Sequence, residues 1–297
     1  MIAMPIRSVP AVRGTTSRLL TAARRPRFAL RNLRYHVGLA PSPEQHVFVV
    51  GPPRSGTTLV RQMLLAHPLL TGPDRETYYF LRWNLSDFAL DEIPPAEMAA
   101  IRAQSPDSIR LFDGIARWMK QDAGARGFVE KSPQHALRLS FLRHYFPQSR
   151  FVFVCRDPRD GFVSAGRNPD MRRMTADQYA RLWLDCVRTR LAQPAATPIF
   201  DLRYEDLCAA PERHLRRMMT FLGYETTPEQ LAPERYSRTA LARRPGHARL
   251  NQAIGSDTVG AWRRALPAEL KLRLERIAGP QMQALRYSLA TSCQAGA

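Results

Sequence analysis

A four-residue apolar run, Val47-Phe48-Val49-Val50, ends abruptly in Gly51-Pro52-Pro53-Arg54-Ser55-Gly56-Thr57-Thr58. So short a run, closed by a turn signal, reads as a buried strand of a parallel sheet. Leu59, Val60, Met63 and Leu64 then share one face of a helix that Pro68 stops. Strand, glycine-rich turn and helix in this order aim backbone amides at a helix N-terminus, where an anion is held. The spacing of the two glycines, with four residues between them, is that of a P-loop. The position after Gly56 is Thr57, however, where a nucleoside triphosphatase carries the lysine that reaches the outer phosphates. Arg54 offers a cation from inside the turn instead. The turn is therefore read as built for an anion, and not for a magnesium-bound triphosphate. A plain Gly/Ser turn is the bland alternative, and the order of the elements weighs against it.

Further short apolar runs follow at Phe128-Val129, Phe151–Val154 and Ile199–Leu202. Helical patterns lie between them near 135–146, 158–167 and 175–193, and Leu215, Met218, Met219 and Leu222 form another stripe. Strands alternating with helices predict an α/β chain: a P-loop-type three-layer fold with a central, mostly parallel sheet flanked by helices. Residues 78–125 show no strand and read as a helical insertion, expected on the acceptor side. The expected organisation is a basic arm at 1–43, one domain at 44–290 and a tail at 291–297.

Composition narrows the class. At 297 residues, 44% apolar and 24% charged, the chain is long enough for a sizeable core and too apolar for wholesale disorder. No stretch approaches 18 uninterrupted apolar residues, as a membrane-spanning helix needs. The net charge of +18 suits an anionic partner without choosing among nucleotide, nucleic acid and lipid head group. Residues 1–43 hold eight arginines and no Asp or Glu. An organellar transit peptide has such a composition; the preferred reading is a basic arm on the domain surface that can touch an anionic surface. Only Lys120, Lys131 and Lys271 are lysines, so a lysine here marks a site where arginine's planar fork does not serve. Cys155, Cys186, Cys208 and Cys293 are widely spaced, with no metal-ligand pattern. They read as free thiols in a reducing compartment, the cytoplasm, and no apolar segment of signal-peptide type is visible.

A second constellation, Cys155-Arg156-Asp157-Pro158-Arg159-Asp160 through Ser164, follows the Phe151–Val154 strand. Arg156 at the strand end can fork onto a second phosphate, and Ser164 on the next helix can donate a hydroxyl. Two anion sites at two strand ends suggest a ligand with phosphates at two separated positions.

Gly51–Thr58 resembles the 5′-phosphosulfate loop of sulfotransferases, and Cys155–Ser164 resembles their 3′-phosphate motif. Leu202-Arg203-Tyr204-Glu205-Asp206-Leu207, with Pro211 and Phe221-Leu222-Gly223 beyond it, is similar to a further segment of that family. Ile254–Arg263, with Ser256 and Trp262, resembles its late nucleotide-covering loop. The likeness runs from about Val47 to about Arg264 and is greatest to bacterial sulfotransferases that share motifs with tyrosylprotein sulfotransferases. It implies 3′-phosphoadenosine 5′-phosphosulfate as donor, no metal, and an acceptor hydroxyl or amine. It implies donor contacts at Pro53, Arg54, Ser55, Gly56, Thr57, Thr58, Arg156, Ser164, Tyr204, Ser256 and Trp262. It makes Glu76, in Gly72-Pro73-Asp74-Arg75-Glu76-Thr77, the general base ahead of Asp74. Lys131, aided by Arg54, becomes the cation that meets the departing oxygen.

Other residues were weighed against these. His67 and His135 are the other candidates for the base; His67 reads more readily as a helix-end cap and His135 as a surface residue. Where relatives carry an arginine four residues after the motif serine, this chain has Asn168, with Arg167 beside it, so the third 3′-phosphate contact is open. Arg249 stands about where tyrosylprotein sulfotransferases have a catalytic serine, and that role is not carried over. Tyr78, Tyr79, Phe80 and Trp83 read equally as acceptor-pocket lining or as core. Two other functions fit parts of the sequence: a P-loop kinase-like transferase, against which the missing lysine argues, and a non-catalytic binder of anionic polymer or membrane through the arm. No specific nucleic acid is expected as a partner.

Overall fold

The computed structural model describes residues 26–232 and 254–290. Residues 1–25 of the arm, Arg249, Cys293 and the tail at 291–297 lie outside the described residues. The elements are α1 (Pro26–Leu33), β1 (Val47–Val50), α2 (Thr57–Leu65), β2 (Leu70–Thr71), α3 (Pro95–Ala103), α4 (Ser108–Asp122), β3 (Gly127–Lys131) and α5 (Leu139–Tyr145). They continue as β4 (Arg150–Cys155), α6 (Pro158–Gly166), α7 (Ala176–Leu191), β5 (Ile199–Arg203), α8 (Tyr204–Ala209), α9 (Pro211–Leu222), α10 (Trp262–Ala265) and α11 (Ala268–Ala284).

The five strands form one sheet in the order β2-β3-β1-β4-β5, and every pairing is parallel. The central strand β1 is flanked by β3, with Val49 beside Lys131, and by β4, with Val50 beside Phe153. Both faces of the sheet are covered, which is why the strands read as unbroken apolar runs and not as alternating ones. Phe48, Phe128, Phe151 and Phe153 enter an aromatic core beneath α4, α7 and α11, where Phe112, Trp183 and Leu274 meet them. Val47, Val49, Val129, Val152 and Val154 face the other way onto Val60 and Met63 of α2 and Leu215 and Met218 of α9. The architecture is the expected three-layer α/β fold.

Local chemistry starts the helices. Asp107 accepts from the backbone N–H groups of Ile109 and Arg110 at the head of α4. Thr175 and Gln178 form a reciprocal capping box on α7. The helical pattern near 135–146 is realised in two parts, a 3-10 turn over Pro133–Arg138 and then α5. The turn tightens because His135 N–H bonds Ser132 O at 2.9 Å, three residues back. Strand β2 was not anticipated. Its two residues are too few to show a period, and it exists through its pairing with Gly127 and Phe128 of β3. Among the described residues, no helix is long and apolar enough to cross a membrane.

Gly51, at the end of β1, has φ +148°, and a Cβ there would lie 2.1 Å from Val154 O on the neighbouring strand. Its N–H also bonds Pro133 O at 3.0 Å. Gly51→Ala should therefore cost about 2 kcal/mol or more of stability, read as a fall in the thermal midpoint. Gly166→Ala, in α6 with no atom within 4 Å of the new methyl, is the control and should melt like the parent.

Candidate active site

The parallel sheet brings the carboxyl ends of four neighbouring strands, β3, β1, β4 and β5, into one row. They deliver Lys131, the Gly51–Gly56 turn, Arg156 and Tyr204. Ligands in open α/β sheets bind along this edge.

The turn after β1 is built on two residues in the left-handed conformation. Gly56 (φ +92°) begins α2, and Arg54 (φ +67°) adopts the left-handed conformation without being glycine. Such a cost is borne where surroundings fix the backbone. Tyr179 does part of this, its hydroxyl donating to Pro53 O at 2.8 Å. Tyr204 does more: its ring lies against Gly56, where a Cβ would fall 2.3 Å from Cδ2. The Ser55 hydroxyl is fully buried and has no hydrogen-bond partner among the described residues. An orphaned buried hydroxyl in a turn of this shape fits an anion. Arg54 Nε donates to Ser164 Oγ at 3.2 Å, so the two phosphate-type motifs touch each other. Burial lowers the pKa of the Arg54 guanidinium, and the nearby charge of Arg156 adds to the effect. Two crowded cations of this kind gain from an anion between them.

Glu76 and Lys131 meet on the β3 side. Lys131 Nζ lies 2.5 Å from Glu76 Oε1 and 3.1 Å from Thr58 Oγ1, the latter in the first turn of α2. Burial lowers the Lys131 pKa, with Glu76 pulling the other way. The Tyr78 hydroxyl donates to Glu76 Oε2, and burial followed by the Glu76 charge drives the phenol's pKa well upward. Tyr78 thus stays a donor. Asp74 is more exposed and is paired with Arg61 at 3.6 Å. The geometry therefore separates the two acids of this segment: Glu76 sits on the lysine and Asp74 does not.

A buried carboxylate holds this corner together. Glu130 accepts from Thr77 Oγ1 at 2.6 Å, Ser132 Oγ at 2.7 Å and His135 Nδ1 at 3.0 Å. Ser132 Oγ in turn accepts from Tyr78 N–H at 2.9 Å. The residue after the candidate base and the residue after the candidate lysine are thereby tied to one point. His135 is wholly buried, which corrects the expected surface placement. Its Nε2 accepts from Phe80 N–H at 3.1 Å while its other nitrogen faces Glu130. His67 accepts from Leu69 N–H at 3.1 Å, as a cap does.

Arg156 completes the row on the β4 side. It bonds Thr258 O at 2.6 Å and stacks 4.4 Å above the Tyr204 ring, while its buried Nε has no partner among the described residues. Thr258 also meets the Tyr204 hydroxyl at 3.2 Å. Asp160 accepts from Gly260 N–H at 2.7 Å and Trp262 N–H at 2.9 Å, fastening the late loop to α6. The Trp262 ring is buried, with the Arg159 guanidinium 3.6 Å from its centre, so it steadies the loop from behind. Ser256 lies exposed on the same loop. Asn168 spends its side-chain oxygen on Asp170 N–H at 3.0 Å. Tyr79 and Phe80 are core residues; of the four aromatics after Glu76, Tyr78 is the one bonded to the site, and Trp83 stacks on His36. Sequence reasoning missed Thr258, Tyr179, Asp160 and Glu130. Asp160 alone had a signal, as an acid in the first turn of a motif helix.

These side chains form the candidate site, at the carboxyl edge of the parallel sheet. A profile described as the sulfotransferase family matches residues 46–228. A putative protein-tyrosine sulfotransferase of Caenorhabditis briggsae is 29% identical over 196 residues, covering 63% of this chain and 69% of that protein. The nodulation protein NoeE of Sinorhizobium fredii is 24% identical over 259 residues, covering 75% and 61%. Protein-tyrosine sulfotransferase 1 of Danio rerio is 28% identical over 193 residues, covering 60% and 52%. The chain thus spans between half and about two-thirds of the length of these relatives. In fold it is similar to the sulfotransferase domain of the Synechococcus PCC 7002 olefin synthase, with a TM-score of 0.60 at 22% identity over 85% of this chain and 98% of that one. The sulfotransferase domain of the curacin biosynthetic pathway gives a TM-score of 0.57 at 21% identity over 85% and 100%. The chain belongs to the sulfotransferase family.

Burial alone would raise the Glu130 pKa. His135, Thr77 and Ser132 outweigh it, and the carboxyl is held below its ordinary value of 4.5. Its contribution to stability is therefore complete above that value and drains away as pH falls through the lower folded one. Glu130→Gln should lose about 3–5 kcal/mol near neutrality and flatten the acid limb of a stability curve taken by urea unfolding between about pH 3 and pH 7.

Proposed function

We propose that the enzyme moves the sulfonate of 3′-phosphoadenosine 5′-phosphosulfate to a hydroxyl or amine, with Glu76 as the base. The observation that carries this is the contact of Glu76 with Lys131 directly beside an anion cradle. The cradle's fit to a phosphate-type group is supported by the orphaned Ser55 hydroxyl and by the left-handed backbone at Arg54 and Gly56.

In this reading, Pro53–Thr58 and the Arg54 guanidinium receive the 5′-phosphosulfate. Arg156, through its unpartnered Nε, and Ser164 receive the 3′-phosphate. Tyr204 and the Ser256–Trp262 loop support the nucleotide. The acceptor's O–H or N–H proton passes to the Glu76 carboxylate as the acceptor atom attacks sulfur. The bond from sulfur to the bridging oxygen breaks, and the charge arriving on that oxygen is met by Lys131 and Arg54. Lys131 has three N–H donors and uses two, on Thr58 and Glu76, so one remains for that oxygen. Each Glu76 oxygen has more than one lone pair, so an acceptor can bond it while Tyr78 and Lys131 stay in place. Residues 44–290 then act as the catalytic unit, with 78–125 on the acceptor side. The buried thiols of Cys155, Cys186 and Cys208 suit a reducing compartment such as the cytoplasm.

Glu76→Gln should lower turnover by about 10²–10⁴-fold while nucleotide binding is nearly kept. Labelled donor and an acceptor panel, read by the mass gained, measure this; a Gln variant as fast as the parent removes the base assignment. Arg156→Ala should weaken binding of adenosine 3′,5′-bisphosphate by roughly 10–100-fold in calorimetry. Equal affinity would remove the 3′-phosphate site. Magnesium-ATP in the same titrations separates this reading from a kinase.

A further inference from the structure

Helix α1 is pinned on one side and bare on the other. Asn32 is fully buried; its side-chain oxygen accepts from the N–H groups of Leu85 and Ser86 at 2.8 and 2.9 Å, and its nitrogen donates to Ser86 Oγ at 3.1 Å. Tyr35, also fully buried, fixes the turn that follows. With these two residues inward, Leu30, Leu33 and Val37 stand out at 72%, 45% and 52% exposure. The only other large apolar side chains so exposed among the described residues, Leu191 and Leu272, are remote in sequence. Three such residues within one short stretch are a patch and not scatter.

The charges beside the patch are cationic. Arg31 and Arg34 alternate with the apolar residues and, with Arg102, border a cavity of about 500 Å³ under Leu30 and Tyr35. Arg31 is balanced by the exposed Asp87 at 3.1 Å. The excess at the described face therefore comes from Arg34 and Arg102, and the sequence before residue 28 holds six more arginines and no acid.

We infer that this face docks the enzyme on an anionic lipid bilayer. Apolar residues enter the acyl boundary while flanking arginines meet the phosphate head groups, one of them within reach of the cavity. Lipid is preferred to a soluble polyanion because only a bilayer gives Leu30, Leu33 and Val37 an apolar phase to enter. The inference uses neither the donor nor the base.

Co-sedimentation of the full chain with vesicles tests it. Vesicles of phosphatidylcholine with phosphatidylglycerol should be bound, those of phosphatidylcholine alone roughly tenfold less, and salt should weaken the binding. Leu30→Glu with Leu33→Glu should lose anionic-vesicle binding by roughly tenfold or more, with an unchanged melting curve. The single change Leu30→Ser serves as a second variant if the double one melts early, and should give a smaller loss. The inference is overturned if the parent leaves anionic vesicles in solution, if the leucine variants bind as well as the parent, or if RNA is bound in their place and the leucine changes leave that intact.

Discussion

Everything at the site depends on β1 lying between β3 and β4 in parallel register. That placement needs the chain to turn at Gly51 within contact distance of Val154 O, a space closed to any side chain. With β1 so placed, three strand ends arrive together: a lysine from one, a glycine turn from the next and an arginine from the third. No long-range design of the side chains is then needed. The sheet itself sets their order, and each residue has only to be the right type at the end of its strand.

The exchange of cost and gain is clearest at Glu130. A buried carboxylate is unfavourable by itself, yet this one is met by a threonine, a serine and a histidine, each from a segment that also shapes the site. Thr77 adjoins Glu76 and Ser132 adjoins Lys131, so the same bonds that make the charge tolerable keep the acid and the lysine in contact. On the opposite side the arginines are less well matched. Arg54 and Arg156 are close and largely buried, the Asp160 carboxylate stands 3.9 Å from Arg156, and the buried Ser55 hydroxyl has no hydrogen-bond partner among the described residues. One half of the site is satisfied within the protein, while the other keeps a buried hydroxyl and a buried guanidinium Nε without hydrogen-bond partners among the described residues.

Most of the fold was legible in the sequence, because apolar runs bounded by turn residues are local. The runs at Val47, Phe151 and Ile199 became strands, and the stripe at Leu215 became α9. Strand β2 was hidden because two residues carry no pattern and its existence rests on a partner over fifty residues away. The site divides in the same way. Arg54, Ser55, Lys131 and Arg156 stand in compact motifs and were readable. Thr258 works partly through a backbone carbonyl, Glu130 and Tyr179 through partners distant in sequence, and these roles have no local signature. His135 was misplaced because a histidine after a proline gives no hint of a carboxylate five residues upstream that would bury it.

Asp160 has a consequence for how tightly a phosphate can be kept. It stands 3.9 Å from the Arg156 guanidinium and is itself the cleat that fastens Gly260 and Trp262. Any anion drawn to that guanidinium would share it with this resident carboxylate, and Arg156 also holds the same loop through Thr258 O. The guanidinium and the overlying loop are thus coupled through a single side chain.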